Sequence, residues 1–355
     1  MKRALLHILT FSAILCGCER TFDLSRQIDE GIVWMSFIPS NDYDTTFFIV
    51  QATTPIAGSV IPVLTSGESV EVRVNNQSIS LEKNYRSVPD RLQFYATDYD
   101  FQPGDKIEAI ATVSGIGTVG ASCLVPGSFP KYTWSPLLVK NRNVGTMFVE
   151  LEYEDIEDDG GFYGAVVIQN SEVDEQSEEI DPETGEKYWD EIRHYSRTSS
   201  LQPTAMTRMG DLSAASEDPI TVIPQYYNYL SYNLEQGLRP TIQIWKDVPG
   251  SASSNGRHRI TLASRCNEAD ARYESNGGTD RCSYWKETSY RYQIILYRFS
   301  ESYYNYLKAQ YNKEHDEFSG LGLAPASFVY TNVRGGAGVC GAYTVVFSDW
   351  IDIER

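Results

Sequence analysis

Two stretches of the chain carry glycines at the G-x-G-x-x-G spacing with which a dinucleotide-binding fold receives a pyrophosphate. One is Gly336, Gly338 and Gly341, within Asn332-Val333-Arg334-Gly335-Gly336-Ala337-Gly338-Val339-Cys340-Gly341-Ala342-Tyr343; the other is Gly115, Gly117 and Gly120. That chemistry needs more than glycine. A helix must start at the motif so that its free N–H groups and dipole meet the phosphates, and an acid about 20 residues on must hold the ribose. After Gly120 the chain meets Pro126 and Pro130 and has no acid between 135 and 145, while only 14 residues follow Gly341, opening with the strand-like Ala342-Tyr343-Thr344-Val345-Val346-Phe347. Neither stretch reads as a nucleotide site. Gly336, Gly338 and Gly341 are expected to be structural glycines, placed where the chain turns or passes close over a sheet and a side chain would clash or φ must be positive. Gly115 to Gly120 read as a glycine-bearing hairpin.

Other chemistries fare no better. The acidic run Asp155-Ile156-Glu157-Asp158-Asp159-Gly160 offers oxygen ligands but lacks the twelve-residue loop and closing glutamate of a calcium site. It reads as a solvated turn. Beyond the first residues only His194, His258 and His315 remain, with no H-E-x-x-H pair, no G-x-S-x-G elbow and no C-x-x-C. Carboxylates are many, but nothing nominates a pair, so no catalytic, cofactor-binding or metal-ligating residue is assigned.

The elements that would position any site are strands. Phe47-Phe48-Ile49-Val50, the alternating Ser69 to Val74, a turn at Asn75-Asn76, Ser78 to Leu81, and Lys106 to Val113 after Pro103-Gly104-Asp105 are short strand runs parted by turn residues, the pattern of an antiparallel sandwich. Val125-Pro126-Gly127-Ser128-Phe129-Pro130 interrupts that pattern and sets a boundary: 32–128 is expected to be an N-terminal β-sandwich, 129–355 a second β-rich domain with a polar insertion at 171–218, an excursion from the sheet. In the second part, Met147 to Tyr153 and Phe162 to Ile168 read as the arms of a hairpin, Thr241 to Trp245 and Arg259 to Leu262 as strands, and Tyr290 to Phe299 as the longest strand. Ser300 then caps a helix whose Tyr303, Tyr304, Leu307 and Tyr311 share a face. The fold class expected is mainly β: an immunoglobulin-like or carboxypeptidase-regulatory-like antiparallel sandwich, then a second sandwich or barrel-like domain with one or two short helices. The 24 Tyr, 14 Phe and 6 Trp suit strands.

The first residues decide location. Met1-Lys2-Arg3 precede an apolar run ending at Leu15, too short to span a bilayer as a helix. Leu15, Gly17 and Cys18 fit the site read by the lipoprotein signal peptidase, so 1–17 is expected to be a signal peptide, Cys18 the lipidated mature N-terminus, and 18–31 an anchored linker. Removing Lys2 and Arg3 with the signal leaves 28 basic against 48 acidic residues, or −20, which excludes nucleic acid as a partner. In an oxidising exported compartment Cys266 and Cys282, which bracket a polar loop, are expected to form a disulfide worth about 3 kcal/mol. Cys123 and Cys340 read as buried thiols in preference to a second bridge, with their pairing left open by the sequence.

These features together resemble an uncharacterised family of Bacteroidetes outer-membrane lipoproteins. The resemblance rests on Cys18 with an early strand after it, on Gln102-Pro103-Gly104-Asp105 leading to Val125-Pro126, on Gly161-Phe162-Tyr163, and above all on Tyr330 to Tyr343, which fits Y-x-N-V-x-x-G-x-G-x-x-G-A-Y. Cys340 stands where an aliphatic or aromatic residue is expected. The resemblance implies a two-domain β lipoprotein, encoded beside TonB-dependent outer-membrane transporters and without established catalytic residues. The function expected is therefore a non-enzymatic accessory or ligand-binding component beside such a transporter, anchored in the outer membrane on either face, with a glycan or peptide as the ligand class. The alternatives are a surface hydrolase of glycans or peptides, or a structural or adhesive envelope protein.

Overall fold

The computed structural model describes residues 32–41, 45–53, 68–84, 93–141, 144–154, 160–203, 208–209, 220–222, 241–247, 257–267, 272–275, 282–314 and 330–353. The signal segment with Cys18, residues 155–159 of the acidic turn, and His315 lie outside them.

Period-two alternation builds the first sandwich. One sheet runs β21 (Ala337–Cys340), β1 (Ile32–Phe37), β2 (Thr46–Thr53), β6 (Gln93–Thr97) and β5 (Glu82–Asn84), antiparallel except that β21 lies parallel to β1. The facing sheet runs β4 (Gln77–Ser78), β3 (Glu68–Val74), β7 (Lys106–Val113) and β8 (Gly117–Leu124). Strand β7 shows the logic, burying Ile107, Ala109, Ala111 and Val113 against Met35, Phe37, Phe48 and Val72 while its alternate residues face outward. Asn75 and Asn76, at φ 51° and 67°, form the two-residue turn that joins β3 to β4, a conformation asparagine tolerates better than most residues. Gly115, in the β7–β8 connection, and Gly117, which opens β8, have φ of 80° and 149°.

A connection from Val125 to Lys131 leads into the second sandwich. Its smaller sheet runs β14 (Gln202–Pro203), β18 (Arg257–Asn267), β10 (Val144–Glu154) and β9 (Tyr132–Asn141), with β15 (Arg208–Met209) also on β18. Pro136 is tolerated because β9 is an edge. The larger sheet is built on β11 (Phe162–Ile180) and β20 (Cys282–Phe299), paired from Phe162↔Phe299 to Ser177↔Ser283 with a bulge at Glu172/Val173. β17 (Ile242–Lys246), β13 (Arg193–Ser200) and β12 (Lys187–Trp189) follow one another along the other side of β11, and β16 (Ile220–Val222) extends β17. β22 (Tyr343–Phe347), β23 (Ile351–Asp352) and β19 (Arg272–Ser275) line β20.

Two sequence expectations change here. Met147 to Tyr153 and Phe162 to Ile168 are not the arms of one hairpin: β10 pairs with β9 and β18, and β11 belongs to the opposite sheet. The connection between them is long enough to cross from sheet to sheet, and the two strands meet face to face instead, Met147, Val149 and Leu151 packing with Tyr163, Ala165 and Val167. Residues 171–200 do not leave the sheet either. They continue β11 and return on it as β12 and β13, and their polar composition suits strands wetted on both faces.

Ser300 caps α1 (Glu301–Glu314), its Oγ accepting from the Tyr303 N–H at 3.3 Å. The helix lays Tyr303, Tyr304, Tyr306 and Leu307 onto Val166, Ile168, Ile244, Tyr297 and Phe299, so β11 is buried on both faces over Tyr163–Ile168. The chain is mainly β, an antiparallel sandwich followed by a second β-rich sandwich with one helix among the described residues.

Candidate functional site

Three places bring chemistry-bearing side chains together, and burial separates them. Deepest is a cluster at one end of the second sandwich. Tyr153 at the end of β10 donates its hydroxyl to Asp247 Oδ1 at 2.7 Å and accepts from Trp245 Nε1 at 3.0 Å. His258 of β18 stacks on the Tyr153 ring, centroids 5.3 Å apart, with Nε2 3.8 Å from Asp247 Oδ2. Burial, and then the Asp247 carboxylate, push the Tyr153 phenol well above the ordinary tyrosine range. Tyr, Asp and His in contact have the parts of an acid–base relay, but Trp245, Asp247 and His258 are 0 % exposed and Tyr153 is 1 %, behind Phe129 and Tyr163. All four side chains are buried in the core. The cluster ties the two sheets together, and sequence reading passed it over because Tyr153 lies 94 residues from Asp247 and 92 from Trp245.

The second place is the glycine segment near the C-terminus. A Cβ at Gly336 would overlap the Val33 carbonyl oxygen, and one at Gly338, where φ is 111°, would overlap the Met35 carbonyl oxygen. At Gly341 an added Cβ would stand 2.6 Å from Tyr303 Cβ, at the start of α1. Here glycine admits backbone to backbone, with β1 on one side and the helix on the other. Asn332 completes the arrangement: its side-chain amide donates to Cys340 O at 2.7 Å, and its Oδ1 accepts from Cys340 N at 2.9 Å. Cys340 in turn lies with its Sγ 3.4 Å from Cys123 Sγ of β8. The two cysteines are 217 positions apart, so only the fold settles that they meet.

Cys266 and Cys282 stand on facing sheets, Cys266 buried near the end of β18 and Cys282 opening β20.

The third place faces water. Beyond Val173, which is buried, β11 carries on to Ile180 with only partial cover, and β12 and β13 pair on it. Cross-strand partners share a face, so Tyr188 and Tyr195 stand on one side of this arm, opposite Glu179 and Val173, and Trp189 stands on the other beside Glu178. Trp189 is 42 % exposed, Tyr188 48 %, Tyr195 42 % and Ile192, in the turn between them, 51 %. Segment 171–191 holds ten acids against Lys187 alone among Lys and Arg. Its tip is a stiff turn in which Asp181 accepts from the Glu183 and Thr184 N–H groups, which hold its carboxyl below the usual range. His194 Nδ1 and Asp174 Oδ1 lie 2.7 Å apart across the pair. An acidic ribbon with several large aromatic groups in water is arranged for contact rather than for core packing.

No cluster of three or more metal-ligating side chains occurs among the described residues, and no helix among them is long and apolar enough to cross a membrane.

Two β-sandwiches joined by a returning C-terminal segment, with a solvent-facing acidic arm, define a mainly β fold class. The chain belongs to the family described as a domain of unknown function, DUF4249, whose model matches residues 19–348. No curated protein matches it.

Proposed function

We propose that this protein is a non-enzymatic outer-membrane lipoprotein of the Bacteroidetes type, tethered through acylated Cys18, which serves as an accessory or binding component beside a TonB-dependent transporter. The observation that carries the reading is the arm formed by β12, β13 and the outer half of β11, with Tyr188, Trp189, Ile192 and Tyr195 presented to solvent on an acidic ribbon. Aromatic side chains bring large contact area at low entropic cost, and the acid excess selects a basic partner surface. The Leu15-Cys16-Gly17-Cys18 sequence supports the anchor, and the Tyr330 to Tyr343 signature supports the lipoprotein kinship. A Cys266–Cys282 bridge belongs to the same reading, since it requires export to an oxidising compartment.

Purification of the full-length protein from solubilised outer membrane should bring down a stoichiometric β-barrel protein, and the triple variant Tyr188→Ala, Trp189→Ala, Tyr195→Ala should lose it while keeping its melting temperature. Reproducible absence of a barrel partner would sink the proposal. Turnover of a glycan or peptide by the wild type, lost on changing one carboxylate, would establish the surface hydrolase in its place.

A further inference from the structure

We propose that Cys123 and Cys340 are joined as a disulfide in the exported protein, a covalent staple between the two sheets of the first sandwich that fixes the returning C-terminal strand. The two thiols come from β8 and β21, in opposite sheets, and point into the same core as Val119, Val333 and Ala342. Their sulfurs are 3.4 Å apart. A disulfide needs about 2.05 Å, so closure asks for a movement of about 1.4 Å, within reach of side-chain rotation. The strands are already held in place around them: Gly120 N donates to Arg334 O at 3.2 Å, Arg334 N donates to Gly120 O at 2.8 Å, and Asn332 grips the Cys340 backbone. Bond formation would therefore trap an existing approach rather than create one.

The staple would act where the fold is thinnest. β21 has four residues and parallel pairing to β1 on one side only, yet it carries the chain from the first sandwich to the second. An edge so short opens more readily than the strands it covers. A cross-link closing a loop of more than 200 residues removes the open states that cost the most chain entropy to re-form.

The reaction balances with a disulfide-bearing oxidant. Cys123 is the half-buried member and the acceptor of the S–H hydrogen bond from Cys340, so its thiolate attacks one sulfur of the oxidant and expels a thiolate. Cys340 then gives up its proton, and its sulfur attacks the Cys123 sulfur of the mixed disulfide and expels the second thiolate. Two electrons pass to the oxidant, and the two protons end on the two thiols it becomes. The buried Cys340 thiol is held well above the ordinary cysteine range by its bond to Cys123 and by burial, so the folded reduced chain should oxidise slowly.

The inference rests on export to an oxidising compartment, and two measurements keep that premise apart from the pair itself. In the first, full-length protein from the envelope fraction is denatured in excess alkylating agent without reductant and digested. A linked peptide pair containing Cys123 and Cys340 is expected, and two singly alkylated peptides would contradict it. In the second, reduced purified protein is unfolded and refolded in a glutathione redox buffer, and the same link should form, raising the melting temperature by about 5–10 °C over the reduced protein. Failure in the glutathione buffer, or pairing of either thiol with Cys266 or Cys282, would overturn the staple. A bridge that forms in buffer but is missing from envelope protein would overturn the exported location instead. No variant is needed, so a misfolded mutant cannot obscure the result.

Discussion

At the scale of single residues, Gly338 and Tyr153 are the positions where one atom group decides most. Gly338 combines two demands, a φ of 111° and backbone contact with Met35 that leaves no room for a Cβ. Gly104 shares only the first, with φ 90° and nothing within 4 Å of an added Cβ. Gly104→Ala should therefore cost about 1–2 kcal/mol, the left-handed penalty alone. Gly338→Ala should cost more than about 4 kcal/mol, because β21 cannot then lie against β1. Equal losses in urea unfolding would show that conformation, and not close approach, selects glycine at 338. The contribution of Tyr153 to stability depends on pH. In the unfolded chain its phenol ionises near pH 10, while in the folded chain burial and Asp247 raise it well beyond that. Its stabilising contribution is thus complete below about pH 10 and is lost as pH rises past that point, where only the unfolded state gives up the proton. Tyr153→Phe should lower stability at pH 7 by about 1–3 kcal/mol, through the lost partners of Asp247 and Trp245, and should flatten the alkaline limb of stability against pH. An unchanged alkaline slope would refute the assignment.

At the scale of elements, α1 depends on one hydroxyl more than its tyrosine face suggests. Ser300 Oγ caps the helix and also accepts from the buried Ala342 N–H at 2.9 Å. Ser300→Ala should cost about 2–4 kcal/mol, above the usual cap value of about 1, because a second donor is stranded; Ser300→Thr should restore most of it. A loss near 1 kcal/mol would mean that Ala342 finds another acceptor. Local signals were enough to read this helix: a capping serine followed by apolar residues at helical spacing. The same holds for β3, β7 and the Asn75-Asn76 turn, where alternation and turn chemistry lie within a few residues of each other. Partner choice was not legible. Nothing in Met147 to Tyr153 says that it pairs with His258 to Ser264, since an apolar alternating strand fits either sheet of a sandwich equally well. The arm at 171–200 was misread for a related reason. Without apolar alternation a wetted strand looks like a loop, and only pairing gives this one strand form: β11 with β20 as far as Ser177↔Ser283, then β12 and β13 with β11. Likewise the Cys123–Cys340 contact and the Tyr153 cluster are products of topology, invisible to spacing.

At the scale of the whole molecule, the C-terminal segment decides how the two sandwiches behave together. Within eleven residues it supplies β21 to the first sandwich and β22 to the second. On the way, Gly341 N donates to Phe37 O at 3.0 Å, Tyr343 N to Pro39 O at 3.2 Å, and Val345 N to Asn41 Oδ1 at 2.8 Å, while Thr344 Oγ1 donates to Gly127 O at 2.7 Å. The chain leaving β1 and the chain entering β22 are thus held side by side across the junction. Val333, Cys340 and Ala342 fill the first core, and Val339, Tyr343 and Val345 the one beneath α1. Such sharing makes separate unfolding expensive, because loss of either sandwich exposes apolar groups of the segment that completes the other. Under reducing conditions, native-state hydrogen exchange should give the same global opening energy for Val72 and Ala109 in the first sandwich as for Val167 and Ile294 in the second. Asn332→Ala, which releases Cys340 N and O from their side-chain partner, should lower both values together by about 1–3 kcal/mol. If only the first sandwich loses protection, the segment is an appendage to that sandwich and the two fold independently. A common loss would make residues 332–345 the joint that holds the arm of the second sandwich in fixed relation to the first sandwich.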